Sequence, residues 1–265
     1  MTAALRFTAY GTSFGLRASD RSVLAGAVRR ASGLGWTAAI GDRVDVAYAL
    51  RRRTAARSQP PGRFELWCDD AVIRRTASSQ ALLEAFEDHA KLQTACHARN
   101  CLFVHAGAVA WRGCGILVPG RSRAGKTTFV TALIQAGAEY YSDEFAVIDC
   151  DGRVHPYALP LSLRRNGPGL RQRKRAEELG ARAGTVPVPV DLIVVTQYRR
   201  GARWRPRVLS NGEALLALME NTVAARRPPE QTMPILRRTV VGARAIQSAR
   251  GNAAAAAPRL LAEFL

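Results

Sequence analysis

The chain of 265 residues has few acidic residues, very little lysine and no long apolar segment. Asp and Glu number 21 against 39 Lys and Arg, which gives a formal net charge of +18, and only three of the basic residues are lysines. No run approaches the roughly 18 apolar residues that a helical membrane span needs. Polar residues and glycine interrupt residues 1–16, so this segment lacks the apolar core of a signal peptide. These absences predict a cytoplasmic protein with no membrane partner.

The five cysteines form no CxxC pair and show no zinc-ligand spacing. An odd number of thiols without an export signal predicts reduced side chains in a cytosolic core rather than a disulfide framework. The residues concerned are Cys68, Cys96, Cys101, Cys114 and Cys150.

The positive charge leaves more than one interpretation open. Clusters of basic residues invite nucleic-acid binding, but the arginines are scattered and no aromatic residues alternate with them as they do in RNA-binding segments. A nucleic-acid partner is therefore not the favoured interpretation. An arginine-rich solvated surface, an acidic peptide or a nucleotide accounts for the charge equally well.

The most informative segment is residues 115–128, which read as a strand, a glycine-bounded loop and a helix. Residues 115–118 are apolar, and Gly120-x-x-x-x-Gly125-Lys126-Thr127 follows directly. This order is the context of a phosphate-binding P-loop, although a glycine-rich and alanine-rich chain can match it by chance. The nucleotide-binding residues that it predicts are Gly120, Arg121, Ser122, Arg123, Ala124, Gly125, Lys126, Thr127 and Thr128.

Each specified type of residue in a P-loop pattern has a chemical role in binding phosphate. The two glycines let the backbone turn its N–H groups towards phosphate oxygens, and the start of the following helix adds partial positive charge. Lys126 supplies a slim, mobile cation in a chain that otherwise uses arginine. The Thr127 hydroxyl is a ligand for Mg²⁺. The segment therefore predicts ATP and Mg²⁺ as cofactors.

Two acids and a histidine are candidates for the chemistry beside this loop. Asp143 and Glu144 precede an apolar strand and could hold Mg²⁺ or accept a proton; the alternative is a pair of solvated loop acids. His105 lies among apolar residues in a predicted strand at 101–111. A histidine in such surroundings is more often structural, but the strand is expected to pair antiparallel with residues 115–118, close to the P-loop.

Other polar segments carry weaker signals. Asp69 and Asp70 are predicted to be turn residues rather than metal ligands, and Asp149 and His155 to be structural. The glycine-punctuated basic segment 164–175 could cover the γ-phosphate or hold an acidic substrate, or it could be a solvated loop.

The pattern of apolar residues predicts a mixed α/β fold in two domains, 1–100 and 101–265. The first domain is expected to contain strands at 4–10 and 44–50, a hairpin at 64–73, a helix capped by Asp20 and a helix from Ser78 or Ser79 to about residue 97. The second is expected to contain helices at 129–136, 213–224, 229–238 and from 253, with Ser210 and Glu213 forming a capping box, and strands at 144–149, 154–159, 192–196 and 244–249.

The order of His105-Ala-Gly-Ala-Val, the P-loop and Ser142-Asp143-Glu144 resembles the C-terminal domain of HPr kinase/phosphorylase. The similarity is closer to the HPr-kinase-related proteins found beside bacterial peptide-modifying enzymes, and it is firm over about residues 100–165. It implies a nucleotide-binding core like that of phosphoenolpyruvate carboxykinase, with a mixed sheet rather than a doubly wound parallel one, and a small N-terminal α/β domain.

The resemblance also implies roles for single residues. Asp143 matches the base that acts on the acceptor hydroxyl, Glu144 stands where the family usually has a second Asp, and His105 matches an active-site histidine. Arg164 falls where related proteins place a basic residue. This chain departs from the family pattern in the middle of the loop, where Arg123 replaces a glycine that is common in the family. No segment of the chain matches the phosphorolysis loop of the family.

These observations predict an ATP- and Mg²⁺-dependent kinase that phosphorylates a hydroxyl, of Ser or Thr, on a peptide or protein. The catalytic residues are expected to be Asp143, His105, Lys126 and Arg164, and the metal ligands Thr127, Asp143 and Glu144. Two alternatives stay open: a nucleotide-binding accessory module of a peptide-modifying system, and a small-molecule kinase. The acceptor is not specified, and a homo-oligomer is left open.

Overall fold

The structure, a computed structural model, describes residues 4–53, 63–121, 124–164, 171–223 and 228–264. The described residues form a mixed α/β fold with mixed sheets, as the sequence predicts. The chain divides into two compact units, Met1–Asn100 and Cys101–Leu265. Within the described ranges, no helix combines the length and the apolar character needed to cross a membrane.

The described residues of the first unit form one six-stranded sheet and two helices. Its elements are β1 (Leu5–Ala9), β2 (Thr12–Ala18), α1 (Arg21–Gly33), β3 (Thr37–Ala38), β4 (Val46–Arg52), β5 (Phe64–Cys68), β6 (Ala71–Thr76) and α2 (Ser79–His97). The sheet has the order β3-β1-β2-β4-β5-β6. Only the β2–β4 pair is parallel.

The helix starts of the first unit follow from their caps. The Asp20 side chain accepts a hydrogen bond from the Val23 N–H, and the Ser78 hydroxyl accepts one from the Ala81 N–H. Both predicted caps are confirmed, because a side-chain oxygen satisfies an N–H that has no partner inside the helix. The strand β2 was not predicted from the sequence. Its buried residues Thr12, Phe14, Leu16 and Ala18 alternate along the strand, but Gly15 interrupts the apolar pattern.

The core of the first unit is built around Trp36. Its ring stacks on Phe14 with the ring centres 4.0 Å apart, and the Phe86 ring meets it edge-on. The Trp36 Nε1–H donates to the Thr94 hydroxyl over 2.9 Å, so the indole nitrogen is satisfied although it is buried.

The second unit contains the predicted P-loop. Its strands are β7 (Cys101–Val104), β8 (Ala106–Trp111), β9 (Cys114–Pro119), β10 (Glu139–Ser142), β11 (Ala146–Asp149), β12 (Val154–His155), β13 (Leu161–Arg164), β14 (Arg171–Lys174), β15 (Val190–Tyr198), β16 (Arg207–Val208) and β17 (Arg244–Arg250). Its α-helices are α3 (Lys126–Gln135), α4 (Asn211–Met219), α5 (Pro229–Val241) and α6 (Ala253–Phe264), and a 3-10 turn spans Glu177–Leu179.

The main sheet of the second unit has the order β10-β8-β9-β15-β17-β16. β9 runs antiparallel to β8 and parallel to β15, and β15 runs parallel to β17. Its two faces are both covered. Ile116 and Val118 pack with residues of α3 and α6, whereas Leu117 between them packs with residues of α4 and α5.

Residues 101–111 do not form the single strand that the sequence predicted. The chain breaks at His105: β7 pairs with β11 in a three-stranded sheet of order β12-β11-β7, while β8 pairs with β9 and β10 in the main sheet. A continuous apolar run cannot indicate this change of sheet, because both strands are buried. The predicted antiparallel pairing with the P-loop strand is confirmed.

Several further element boundaries differ from the predictions, including the start of α3, which lies at Lys126 rather than at residue 129. α4 ends at Met219, before residue 224, because the chain turns there and the Val223 N–H donates to the Phe103 carbonyl. The return strand predicted at 154–159 is only two residues long. The capping box is confirmed, with Ser210 and Glu213 each bonded to the other's backbone N–H.

Candidate functional site

The P-loop segment connects the buried strand β9 to helix α3, at the end of the sheet where the parallel strands finish. Gly125 stands before the first residue of α3 and has a φ of 86°, a left-handed conformation that favours glycine. The first N–H groups of a ten-residue helix are thereby directed at the loop. Ser122 and Arg123, two predicted binding residues, lie outside the described residues.

Lys126 is folded back into this loop. Its ammonium group donates to the carbonyl oxygens of Gly120 and Arg121 over 2.6 and 3.2 Å, and the side chain is only 8 % exposed. Burial lowers the pKa of Lys126 below its usual value, although the charges of Glu144 and Asp143 act in the opposite direction. The lysine therefore lies within the electrostatic reach of both predicted acids.

His105 occupies the junction between β7 and β8, next to the same lysine. Its Nε2 lies 3.4 Å from the Lys126 Nζ, and the ammonium group can donate to it in the tautomer whose Nε2 carries no hydrogen. The His105 carbonyl accepts the Gly120 N–H, and its own N–H donates to the carbonyl of Asn221. The histidine thus contacts the P-loop through both its side chain and its backbone.

Asp143 and Glu144 form the turn between β10 and β11. The Ser142 hydroxyl accepts hydrogen bonds from the N–H groups of Glu144 and Phe145, which fixes the backbone of this turn. Asp143 is 8 % exposed and Glu144 is partly exposed. The three predicted groups that carry charge or protons, Lys126, Asp143 and His105, are consequently brought to one place by three different loops.

Tyr140 is a site residue that the sequence did not indicate. Its hydroxyl lies 2.9 Å from Asp143 Oδ1 and 2.8 Å from the carbonyl oxygen of Leu159. Burial, followed by the charge of Asp143, raises the pKa of Tyr140, so it stays a neutral donor. In a regular strand, residues three apart face opposite sides; a register shift between Tyr140 and Ser142 makes this contact feasible.

Arg250 is the second unexpected residue. It ends β17 and is only 1 % exposed, unlike the solvated surface that arginine-rich segments usually form. Its Nη2 donates to the Gly125 carbonyl over 2.6 Å. The sequence shows an arginine at each end of this strand segment, and this pattern does not reveal that Arg250 has a partner 125 residues away.

The predicted metal ligands lie around the start of α3 and the β10–β11 turn. Thr127 is partly exposed in the first turn of α3, and Thr128 is exposed. Within the described ranges, no three His, Cys, Asp or Glu side chains gather into a metal-binding cluster. Two carboxylates and a hydroxyl fit a Mg²⁺ ion that is held in addition by nucleotide phosphates, rather than a cage made by protein alone.

The other polar residues that the sequence analysis singled out make contacts of their own. Arg164 ends β13, where its backbone pairs with Arg171, and the following residues 165–170 lie outside the described residues. The Asp149 carboxylate binds the His155 ring over 2.7 Å and accepts two backbone N–H groups of its hairpin. Asp69, in the β5–β6 turn, accepts the Ala47 N–H.

Comparison with known proteins adds no family assignment. No protein-family model matches this chain, and the search of curated proteins also returned no match.

Proposed function

We propose that the second unit is an ATP- and Mg²⁺-dependent kinase that transfers the γ-phosphoryl group to a hydroxyl of a peptide or protein. The proposal includes the resemblance to the HPr kinase/phosphorylase core. The observation that carries it is the convergence of Lys126, His105, Asp143 and Glu144 at the start of α3. If the P-loop pattern were a chance match, two carboxylates and a histidine from other loops would not be expected beside it.

The phosphate groups would bind where the first N–H groups of α3 point. Because α3 begins directly after Gly125, these N–H groups and the helix dipole favour negative charge. Lys126 would exchange the carbonyl oxygens of Gly120 and Arg121 for phosphate oxygens, which are stronger partners for an ammonium group. Its buried position makes that exchange favourable, since a buried cation gains from an adjacent anion.

The metal would be held by Thr127, by Asp143 or Glu144 and by the phosphates. When bound, Mg²⁺ supplies neutralisation of the charge that develops on the transferred group. Glu144 is partly exposed whereas Asp143 is only 8 % exposed, so Glu144 is the more accessible of the two carboxylates.

Asp143 is the residue proposed to orient the acceptor hydroxyl and to take its proton. The Tyr140 hydroxyl donates to one of its oxygens, which fixes the orientation of the carboxylate that would receive the proton. His105, beside Lys126, would orient the lysine. Arg164 and its basic neighbours are proposed to hold the acceptor, for which an acidic peptide is the suitable chemistry.

The experiment is transfer of labelled phosphate from ATP to peptides encoded near this chain, with Lys126→Ala as the test variant. Lys91→Ala is the matched control, because Lys91 lies in the first unit and pairs with Asp88. We expect the control to keep transfer and Lys126→Ala to lose it. Undiminished transfer by Lys126→Ala would refute the proposed role of the P-loop.

A second candidate is a nucleotide-binding accessory module without transfer activity. The observation in its favour is that the Lys126 ammonium is already satisfied by two carbonyl oxygens of its own loop. ATP binding that persists while no peptide, protein or metabolite is phosphorylated would select this candidate. Phosphorylation of a metabolite instead would identify a small-molecule kinase.

A further inference from the structure

Arg250 joins the end of β17 to the residue that starts the P-loop helix. Its Nη2 donates to the Gly125 carbonyl over 2.6 Å, and its guanidinium carbon lies 4.9 Å from the centre of the Phe129 ring. The same Gly125 carbonyl accepts the Phe129 N–H of α3. The arginine is thus bonded to the loop at the N-cap of the helix.

The charge of Arg250 is not balanced by any acid in the part of the chain that the structure describes. No carboxylate there lies within ion-pair distance of its guanidinium group, and its Nε is buried without a hydrogen-bond partner. Burial lowers the pKa of Arg250 below the usual value. The Phe129 ring offsets the cost of the buried charge only in part.

The buried charge of Arg250 lies next to other positive charge. The N-terminus of α3 already has partial positive charge, and Lys126, the first residue of α3, is a second buried cation. Three positive contributions therefore meet around Gly125. A buried cation without a counter-charge is costly unless an anion is bound beside it.

The hydrogen bond also fixes a peptide group. In a trans peptide, the C=O and the following N–H point in opposite directions. Because Arg250 and Phe129 both bind the Gly125 carbonyl on the helix side, the Lys126 N–H points out of the start of α3. That N–H is one of the donors which a phosphate would use.

We propose that Arg250 is a positioning residue of the phosphate site: it fixes the Gly125–Lys126 peptide, and its unbalanced charge is matched by the phosphates of a bound nucleotide. This inference rests on nucleotide binding, the first step of the proposed function. Arg250 is buried behind the loop, so it acts through the Gly125 carbonyl and through its charge rather than by contact with substrate.

The test compares Arg250→Gln, which keeps an N–H donor but loses the charge, with Arg250→Lys, which keeps the charge. Binding of ATP and of AMP is measured by titration calorimetry. We expect Arg250→Gln to weaken ATP binding about tenfold and AMP binding much less, and Arg250→Lys to stay within about threefold of the wild type for both. The matched control is Arg244→Gln, since Arg244 is exposed at the other end of β17, over the Phe264 ring.

Equal loss of ATP and AMP affinity in Arg250→Gln would overturn the proposal, because a purely structural role would not depend on the number of phosphates. ATP binding by Arg250→Gln as strong as that of the wild type would overturn it as well. A wild type that binds no ATP would instead be a failure of the proposed function.

If the substituted proteins do not fold, thermal unfolding of the wild type with added anions provides a second test. The melting temperature of the wild type should rise with inorganic tripolyphosphate and not with chloride at the same ionic strength, since only a bound anion would offset the buried charge. If the protein binds ATP but its melting temperature in tripolyphosphate is the same as in chloride, the proposed balance between the Arg250 charge and bound phosphate is contradicted.

Discussion

The Tyr140 hydroxyl lies between two acceptors, Asp143 Oδ1 at 2.9 Å and the Leu159 carbonyl at 2.8 Å. A phenol has a single hydrogen, so it can donate fully to only one of them at a time. A carboxylate attracts that hydrogen more strongly than a carbonyl does. Tyr140 therefore donates mainly to Asp143 and orients its side chain, and the Leu159 carbonyl is the competing acceptor.

Replacing Tyr140 with Phe should lower the rate of phosphoryl transfer roughly tenfold, because a hydrogen bond to a charged group contributes about 1.5–3 kcal/mol. The KM for ATP should stay close to the wild-type value, since the hydrogen bonds of the Tyr140 hydroxyl are to Asp143 and Leu159. Tyr141→Phe is the matched control: it loses a comparable hydrogen bond, to the Val186 carbonyl. Equal rates in both variants would contradict the positioning role of Tyr140.

Replacing Asp143 with Asn should lower kcat by about a hundredfold or more, because an amide cannot take the proton of the acceptor hydroxyl. ATP binding, measured separately by calorimetry, should persist. Asp151→Asn, a change at an exposed aspartate of the β11–β12 turn, should leave both quantities unchanged. Full activity of Asp143→Asn would show that another group accepts the proton.

Replacing Gly125 with Ala should lower both stability and ATP affinity. A left-handed conformation costs a residue with a side chain about 1–2 kcal/mol, and the new Cβ would lie 2.6 Å from the Arg250 Nη2. Gly113→Ala separates the two effects, because Gly113 has a similar φ of 84° but no atom within 4 Å of its Cβ position. Thermal unfolding and ATP titration should show the larger loss for Gly125→Ala; similar losses would mean that the Arg250 contact is unimportant.

Glu65 predicts a pH dependence of stability in the first unit. Burial raises its pKa, but hydrogen bonds from Arg75 and Trp67, and the charge of Arg53, outweigh burial and lower the pKa from 4.5. The folded state therefore binds the proton less readily than the unfolded state, so the ionised carboxylate stabilises the fold above 4.5 and this contribution is lost as pH falls through the lowered value.

The measurement is urea unfolding of the wild type and of Glu65→Gln over a range of pH, followed by tryptophan fluorescence. The wild type should be more stable near neutral pH, and the difference should shrink as the pH falls below 4.5. A difference that is independent of pH would show that the carboxylate charge contributes nothing.

Local signals in the sequence specified the helix starts and the P-loop. The caps at Asp20, Ser78 and Ser210 and the helix after Gly125 depend on neighbouring residues, so a short segment contains the full information. The same reasoning placed Lys126 and the pair Asp143 and Glu144 in separate loops, and it was the family resemblance that predicted a shared site for them.

Contacts between distant segments could not be predicted in this way. The break at His105 depends on which sheet each half of an apolar run joins. The Tyr140–Asp143 contact depends on a register shift in β10, and the Arg250–Gly125 contact on the order of parallel strands. Each is a property of the assembled sheet rather than of any local pattern.

The distance along the chain between Gly125 and Arg250 has a consequence for synthesis. The hydrogen bond between them joins residues 125 positions apart. Synthesis proceeds from the N-terminus, so a ribosome-bound chain that has passed α3 but not β17 has the whole P-loop motif and lacks the residue that secures its N-cap. Nucleotide capture by the growing chain should therefore become stronger once β17 has emerged, so that ATP affinity would report on a late stage of folding.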